Sequence, residues 1–84
     1  MTRQVTVYGA DWCGDTRRTL RELDSAGVNY DYIDIDDDSD GEQKVIEFNR
    51  GKRRIPLIEI ADANAEPARL SVPSTSELED ALKK

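Results

Sequence analysis

Apolar positions recur along this chain at two spacings, and the switches between them mark out its elements. From Arg3 to Tyr8 the residues alternate, with Val5 and Val7 on one side and Thr6 and Tyr8 on the other, which predicts a strand. Gly9 to Cys13 reads as a loop. From Thr16 to Ala26 the spacing becomes helical. Thr16, Leu20, Leu23 and Ala26 or Gly27 form one stripe, the charged residues Arg17, Arg18, Arg21, Glu22 and Asp24 fill the outer face, and Gly27 is the stop signal. Tyr30 to Ile35 alternates again, Tyr30 and Tyr32 against Ile33 and Ile35. After a polar, acidic loop, Val45, Ile46 and Phe48 give Glu42 to Asn49 the stripe of a short amphipathic helix ending near Gly51. Pro56 to Ala61 is an apolar strand and Glu66 to Val72 a weaker one, with a turn at Asp62-Ala63-Asn64-Ala65. Pro67 cannot donate to a ladder, so the weaker strand belongs at a sheet edge. Ser74-Thr75-Ser76-Glu77 is a capping box that opens a last helix through Leu82.

The order is therefore β-α-β-α-β-β-α. Strand–helix–strand units place strands parallel through crossovers, and the closing hairpin adds antiparallel pairing. The expected fold is α/β, a four-stranded mixed sheet flanked by three helices. No repeat, low-complexity tract or linker divides residues 1–84, which read as a single domain.

Composition narrows the functions this fold could carry. A chain of 84 residues is near the small end of independently folding units, burying only about 60–65% of its unfolded surface. The net charge of −6 argues against nucleic acid and anionic membranes, which call for a basic patch. There is neither a basic-then-apolar leader nor a long apolar run, so no signal peptide and no membrane span are expected, and a single cysteine suits a reducing cytoplasm. The sequence has no histidine, which removes Cys-His and Ser-His catalysis and His-based zinc sites.

What remains is Cys13, placed where the first strand hands over to the first helix in Ala10-Asp11-Trp12-Cys13-Gly14-Asp15-Thr16. Unpaired N–H groups and the positive end of the helix dipole favour thiolate over thiol there, and the thiolate is the nucleophile of disulfide exchange. Arg17, one turn along, adds to this effect, whereas Asp11 and Asp15 oppose it. The other reading of a lone cysteine is an inert, partly buried apolar side chain. Asp36-x-Asp38-x-Asp40-Gly41 followed by Glu47 has the spacing of a calcium-binding loop. It is set aside because a strand precedes it, Gln43 stands where an apolar residue is usual, and the following apolar residues are needed as a helix stripe. Its residues serve instead as a solvated loop capping the second helix.

Element order, Trp12-Cys13-Gly14, Arg54-Ile55-Pro56 and Val72-Pro73-Ser74 together resemble the glutaredoxin family of thioredoxin-fold proteins. Asn49-Arg50-Gly51-Lys52-Arg53-Arg54-Ile55-Pro56 is similar to the Asn-Gly-Gly-x-Arg-x-Val-Pro pattern of the actinobacterial mycoredoxins. The resemblance implies a cis Pro56 beside the cysteine, with the backbone of Ile55 pairing with an extended thiol-bearing ligand. One departure is decisive: Thr16 stands where a dithiol glutaredoxin has its second cysteine. The implied reaction is then a one-thiol cycle on mixed disulfides between oxidised client proteins and a small thiol, mycothiol or glutathione, serving cell redox homeostasis.

In that reading Cys13 is the nucleophile and Thr16 donates its hydroxyl to the thiolate. Trp12 is a flat wall, Gly14 admits the substrate backbone, and Arg17, Arg53 and Arg54, beside Lys52, clamp the polar head of the small thiol. Ser74 and Thr75 offer helix-start N–H groups to an anion, or simply cap the helix. The chain is expected to be a monomer, with a dimer possible through Cys13 or a shared cluster. Two alternatives come from other classes. One is a carrier holding an iron–sulfur cluster, as single-cysteine glutaredoxins with a Cys-Gly-Phe-Ser loop do; Asp15 replaces that Phe here. The other is a redox-inert binding module on the same scaffold.

Overall fold

The computed structural model describes residues 3–62 and 65–83. Its elements are β1 (Arg3–Gly9), α1 (Gly14–Ser25), β2 (Tyr30–Asp34), α2 (Ser39–Phe48), β3 (Leu57–Asp62), β4 (Ala65–Ser71) and α3 (Thr75–Lys83). The strand order is β2-β1-β3-β4, with β1–β2 parallel and β1–β3 and β3–β4 antiparallel. This is the expected mixed sheet, with the Pro67 strand at an edge. The centre of the turn expected at 62–65 lies outside the described residues.

Alternation along the strands divides the core between the two faces of the sheet. Val5, Val7, Ile58 and Ile60 pack with Leu23 of α1 and Leu78 of α3, while Tyr8, Ile35 and Leu57 pack with Val45 of α2. Full burial of a side chain such as Leu23 is worth roughly 1.5–3 kcal/mol relative to exposure. Tyr30 and Tyr32 join the first cluster and Ile33 the second, as their alternation requires.

Two helix stripes differ from expectation. In α1 the fully buried residues are Thr16, Thr19 and Leu23, whereas Ala26 is the exposed C-cap. The helix ends there because Gly27 takes φ +70° and the N–H groups of Gly27 and Val28 turn back to the carbonyls of Asp24 and Leu23, a Schellman closure. In α2, Phe48 remains 42% exposed, because the helix meets the sheet through Gly41 and Val45. A β-carbon on Gly41 would lie 2.9 Å from Ile33 Cγ2, so the helix comes too close there to admit a side chain. α2 also starts earlier than its apolar stripe, at Ser39, because the Asp38 side chain accepts from the Gly41 N–H at 2.8 Å.

Candidate functional site

Strand register brings four loops to one end of the sheet. Gly9 pairs with Asp34, Tyr8 with Leu57, and Leu57 with Ser71. The loops 10–13, 35–38, 50–56 and 72–74 therefore all leave or enter the sheet at that end. Cys13 occupies the N-cap of α1 with extended backbone (φ −84°, ψ 120°), and its side chain makes no capping hydrogen bond. It is a free thiol of intermediate exposure. Its N–H donates to the Ala10 carbonyl at 3.0 Å and its carbonyl accepts from Arg17 at 3.1 Å. Among the described residues, the N–H groups of Gly14, Asp15 and Thr16 have no acceptor, as expected of a first helical turn.

Under this loop the packing is close. Thr16 is wholly buried, and a β-carbon on Gly9 would lie 2.5 Å from Thr16 Cγ2 and 2.6 Å from its Oγ1. The end of β1 can lie this close to α1 only because Gly9 has no side chain. The Ala10 N–H points to Thr16 Oγ1 at 3.5 Å.

Across the sheet end, the Ile55–Pro56 peptide is cis. The Pro56 carbonyl accepts from the Val72 N–H at 2.8 Å. Val72 itself has φ +45°, a left-handed conformation that a β-branched residue rarely adopts. Asn49, at the end of α2, donates through Nδ2 to the carbonyls of Val45 (2.9 Å) and Arg54 (3.3 Å), and accepts from the Ser71 hydroxyl at 2.8 Å.

Above these contacts runs an exposed polar chain. The Trp12 indole N–H donates to Asp36 at 2.7 Å, Asp36 pairs with Arg53, and Arg53 Nε donates to Glu42 at 2.7 Å. The indole N–H, followed by the Arg53 guanidinium, holds the Asp36 carboxyl below the usual carboxylate range, and the two carboxylates raise Arg53. The Tyr32 hydroxyl donates to Asp11 at 2.8 Å; burial first, and then Asp11, keep that phenol protonated well above its ordinary value.

Residues 5–63 match the family model for glutaredoxin. The chain belongs to the glutaredoxin family. It is 40% identical over 58 residues to mycoredoxin 1 of Corynebacterium glutamicum, covering 69% of this chain and 71% of that one. A glutaredoxin-type protein of Mycobacterium tuberculosis is 30% identical over 84 residues, covering 100% of this chain and 95% of its own. Among solved structures, the glutaredoxin of Archaeoglobus fulgidus aligns with a TM-score of 0.69 at 26% identity, covering 95% of this chain and 86% of its own. The glutaredoxin-like NrdH-redoxin of Escherichia coli aligns at 0.72 with 18% identity and 92% coverage of each chain, which supports the thioredoxin-like fold.

Against the glutaredoxin frame, the residues expected at the site divide into groups. Cys13, Gly14 and Trp12 occupy the thiol loop and its helix start; Trp12 is 64% exposed, and a β-carbon on Gly14 would meet nothing within 4 Å. Ile55 and Pro56 form the neighbouring turn. Arg53 reaches the thiol loop through Asp36 and is engaged by two carboxylates. Arg17 and the Arg54 side chain are exposed. Thr16 lies beneath the loop against Gly9.

Ser74 and Thr75 are engaged by the fold. The Ser74 N–H donates to Glu77 Oε1 at 2.9 Å and the Glu77 N–H to Ser74 Oγ at 3.2 Å, the reciprocal capping box. Those bonds also hold the Glu77 carboxyl below its ordinary value. The Thr75 hydroxyl donates to Glu22, in a groove of about 480 Å³ between α1 and α3 lined also by Arg18, Leu78 and Leu82.

Sequence reasoning missed Asp36 and Asn49. Asp36 read as part of a solvated loop, and only the sheet register reveals that this loop borders the cysteine. Asn49 stood in the quoted loop motif and at the helix end, which was the available signal. Among the described residues, no group of three or more Cys, Asp or Glu side chains is placed to hold a metal ion, and no helix is long and apolar enough to cross a membrane.

Proposed function

We propose that this glutaredoxin uses Cys13 alone to reduce mixed disulfides between proteins and a low-molecular-weight thiol. The observation that carries the reading is the placement of its only cysteine as the N-cap of α1, with a free sulfur at the sheet end that also carries the cis Ile55–Pro56 turn. The Cys13 thiolate attacks the small-thiol sulfur of a protein mixed disulfide. The old S–S bond breaks, the client sulfur leaves as a thiolate and takes a proton from water, and the small thiol is carried on Cys13. A second small-thiol molecule, as its thiolate, attacks that adduct and releases the symmetric disulfide and the Cys13 thiolate. In sum, the protein mixed disulfide and one reduced small thiol become the free client thiol and the symmetric small-thiol disulfide, and Cys13 is regenerated. With Thr16 in place of a second cysteine, no internal disulfide competes with this cycle.

Mycothiol is the proposed co-substrate, in a reducing cytoplasm. The mycoredoxin relative supports it, and so does the charge around the loop. Asp11 and Asp15 flank the Cys13 loop in sequence, Asp36 holds the neighbouring Trp12 indole, and Arg53 is already paired with Asp36 and Glu42. Such a rim suits an uncharged sugar-type thiol better than glutathione with its two carboxylates. The test is intact mass spectrometry after exposure to oxidised mycothiol and oxidised glutathione separately. A single adduct, absent in Cys13→Ser and reversed by reduced mycothiol, is the expected result. No adduct with either compound overturns the reading. A purified protein with iron–sulfur absorption that is lost in Cys13→Ser turns it to a cluster carrier.

A further inference from the structure

Asn49 makes contacts that a helix cap alone does not require. Capping the Val45 carbonyl takes one Nδ2 hydrogen; the other reaches the Arg54 carbonyl, in the loop ahead of Pro56, and Oδ1 is occupied by the Ser71 hydroxyl of β4. The orientation of the amide is fixed by chemistry, since a flipped group would face two carbonyl oxygens with its own oxygen. The side chain therefore ties together the end of α2, the loop 50–56 and the end of β4.

The Arg54 carbonyl and the Ile55 N–H belong to one peptide unit. In a planar trans peptide these two groups point in opposite directions. Drawing the Arg54 carbonyl toward Asn49 thus turns the Ile55 N–H away from α2. Among the described residues, neither the N–H nor the carbonyl of Ile55 has a hydrogen-bond partner. The peptide is held from its far side only, with its free donor left for a visitor. The Val72 N–H on the Pro56 carbonyl secures the Pro56–Leu57 unit, so one brace lies on each side of the Ile55–Pro56 peptide.

We infer that Asn49 is a positioning residue: by holding the Arg54 carbonyl it aims the Ile55 N–H at the extended backbone of the incoming mixed disulfide. This rests on the reaction proposed for Cys13, and it adds a residue that touches neither sulfur nor substrate.

The test compares Asn49→Ala and Ser71→Ala with the wild-type chain, using a peptide–mycothiol mixed disulfide as substrate and iodoacetamide as a small probe of Cys13. Asn49→Ala is expected to raise the apparent KM for the mixed disulfide about tenfold, with kcat and the iodoacetamide rate unchanged. The Ile55 amide resonance shifts in the ¹H–¹⁵N spectrum. Ser71→Ala, which leaves the Arg54 bond in place, gives a smaller change in the same direction. A purely structural role would instead lower all rates together in proportion to the folded fraction. An unmoved Ile55 amide, or an unmoved KM in a folded Asn49→Ala protein, overturns the inference. If the wild-type chain forms no adduct, the reaction itself fails, while the Ile55 resonance still reports on the brace.

Discussion

The floor beneath Cys13 and the rim around it are built from different interactions. The floor is held by short-range, uncharged contacts: the close packing of Thr16 against Gly9, the Val72 N–H on the Pro56 carbonyl, and the three bonds of Asn49. The rim, from Trp12 through Asp36 and Arg53 to Glu42, is exposed and made of charge. Packed contacts fix geometry and are indifferent to salt, whereas exposed ion pairs are weak and screened. The contrast suits the reaction proposed for Cys13, in which the sulfur and the Ile55 peptide need fixed places while the rim adapts to the substrate.

The strongest way to break this contrast is to overfill the floor. Gly9→Ala would place a methyl group well inside contact distance of Thr16, on a buried side chain with no room to retreat. Forcing an extra carbon into a packed site costs typically 1–3 kcal/mol, so about 2 kcal/mol of stability should be lost. Urea unfolding measures it. The loss should be the same at low and high salt, because no charge is involved. A folded variant should also show altered iodoacetamide reactivity at Cys13, since the displaced helix start carries the thiol. If stability is unchanged, the floor is more compliant than its contacts indicate.

A smaller effect of opposite sign is expected where the loop 50–56 begins. Arg50 is the residue past the C-cap of α2 and takes φ +58°, and the N–H groups of Arg50 and Gly51 return to the carbonyls of Glu47 and Ile46. That closure favours glycine in the left-handed position. The Arg50 side chain is exposed, so little packing is lost on removing it. Arg50→Gly should therefore stabilise the chain by about 0.5–1 kcal/mol, a rise of roughly 2–8 °C in thermal midpoint. Mixed-disulfide kinetics should stay the same, because the Asn49 brace is untouched. An unchanged or lower midpoint would show that the Arg50 side chain contributes contacts that outweigh its backbone strain.

These elements also show what a sequence can and cannot disclose about such a site. The strands, the three helices and the edge position of the Pro67 strand follow from period and from turn chemistry, both local properties. Cys13 was legible as a residue of the strand-to-helix junction for the same reason, since such a junction is a local event; its place as N-cap follows from α1 starting at Gly14, two residues before the expected stripe. The rim was not legible. Asp36 and Arg53 are 17 residues apart, and nothing in either stretch states that they meet. Arg53 therefore read as a free clamp for a ligand, when two carboxylates occupy it. Thr16 read as a partner of the thiol because it is one turn along, while its depth under Gly9 depends on how closely α1 approaches β1. Phe48 read as core from its spacing, but α2 is buried through Gly41 and Val45, and Phe48 lies at the margin. Period identifies a face; the distance between elements decides which residues on that face are covered.

The least costly perturbation acts on the rim alone and is read by Trp12, the only tryptophan in the chain. Its indole N–H is the first cause of the lowered Asp36 carboxyl, with Arg53 second. A carboxyl whose native value lies below its unfolded one favours the native state once it is charged. Its contribution is complete above the unfolded value of about 4 and is lost as pH falls through the lower native value. Trp12 emission should therefore be flat from about pH 8 to pH 5 and change only below about pH 4, ahead of any loss of helical circular dichroism. Asp36→Asn keeps an oxygen for the indole and removes the charge that binds Arg53, so that step should vanish while neutral-pH emission stays close to the wild type. Raising the salt to about 1 M, where screening acts within about 3 Å, should loosen Arg53 and leave the floor untouched. Emission that tracks global unfolding at every pH would mean that the rim has no transition of its own and that floor and rim behave as one unit.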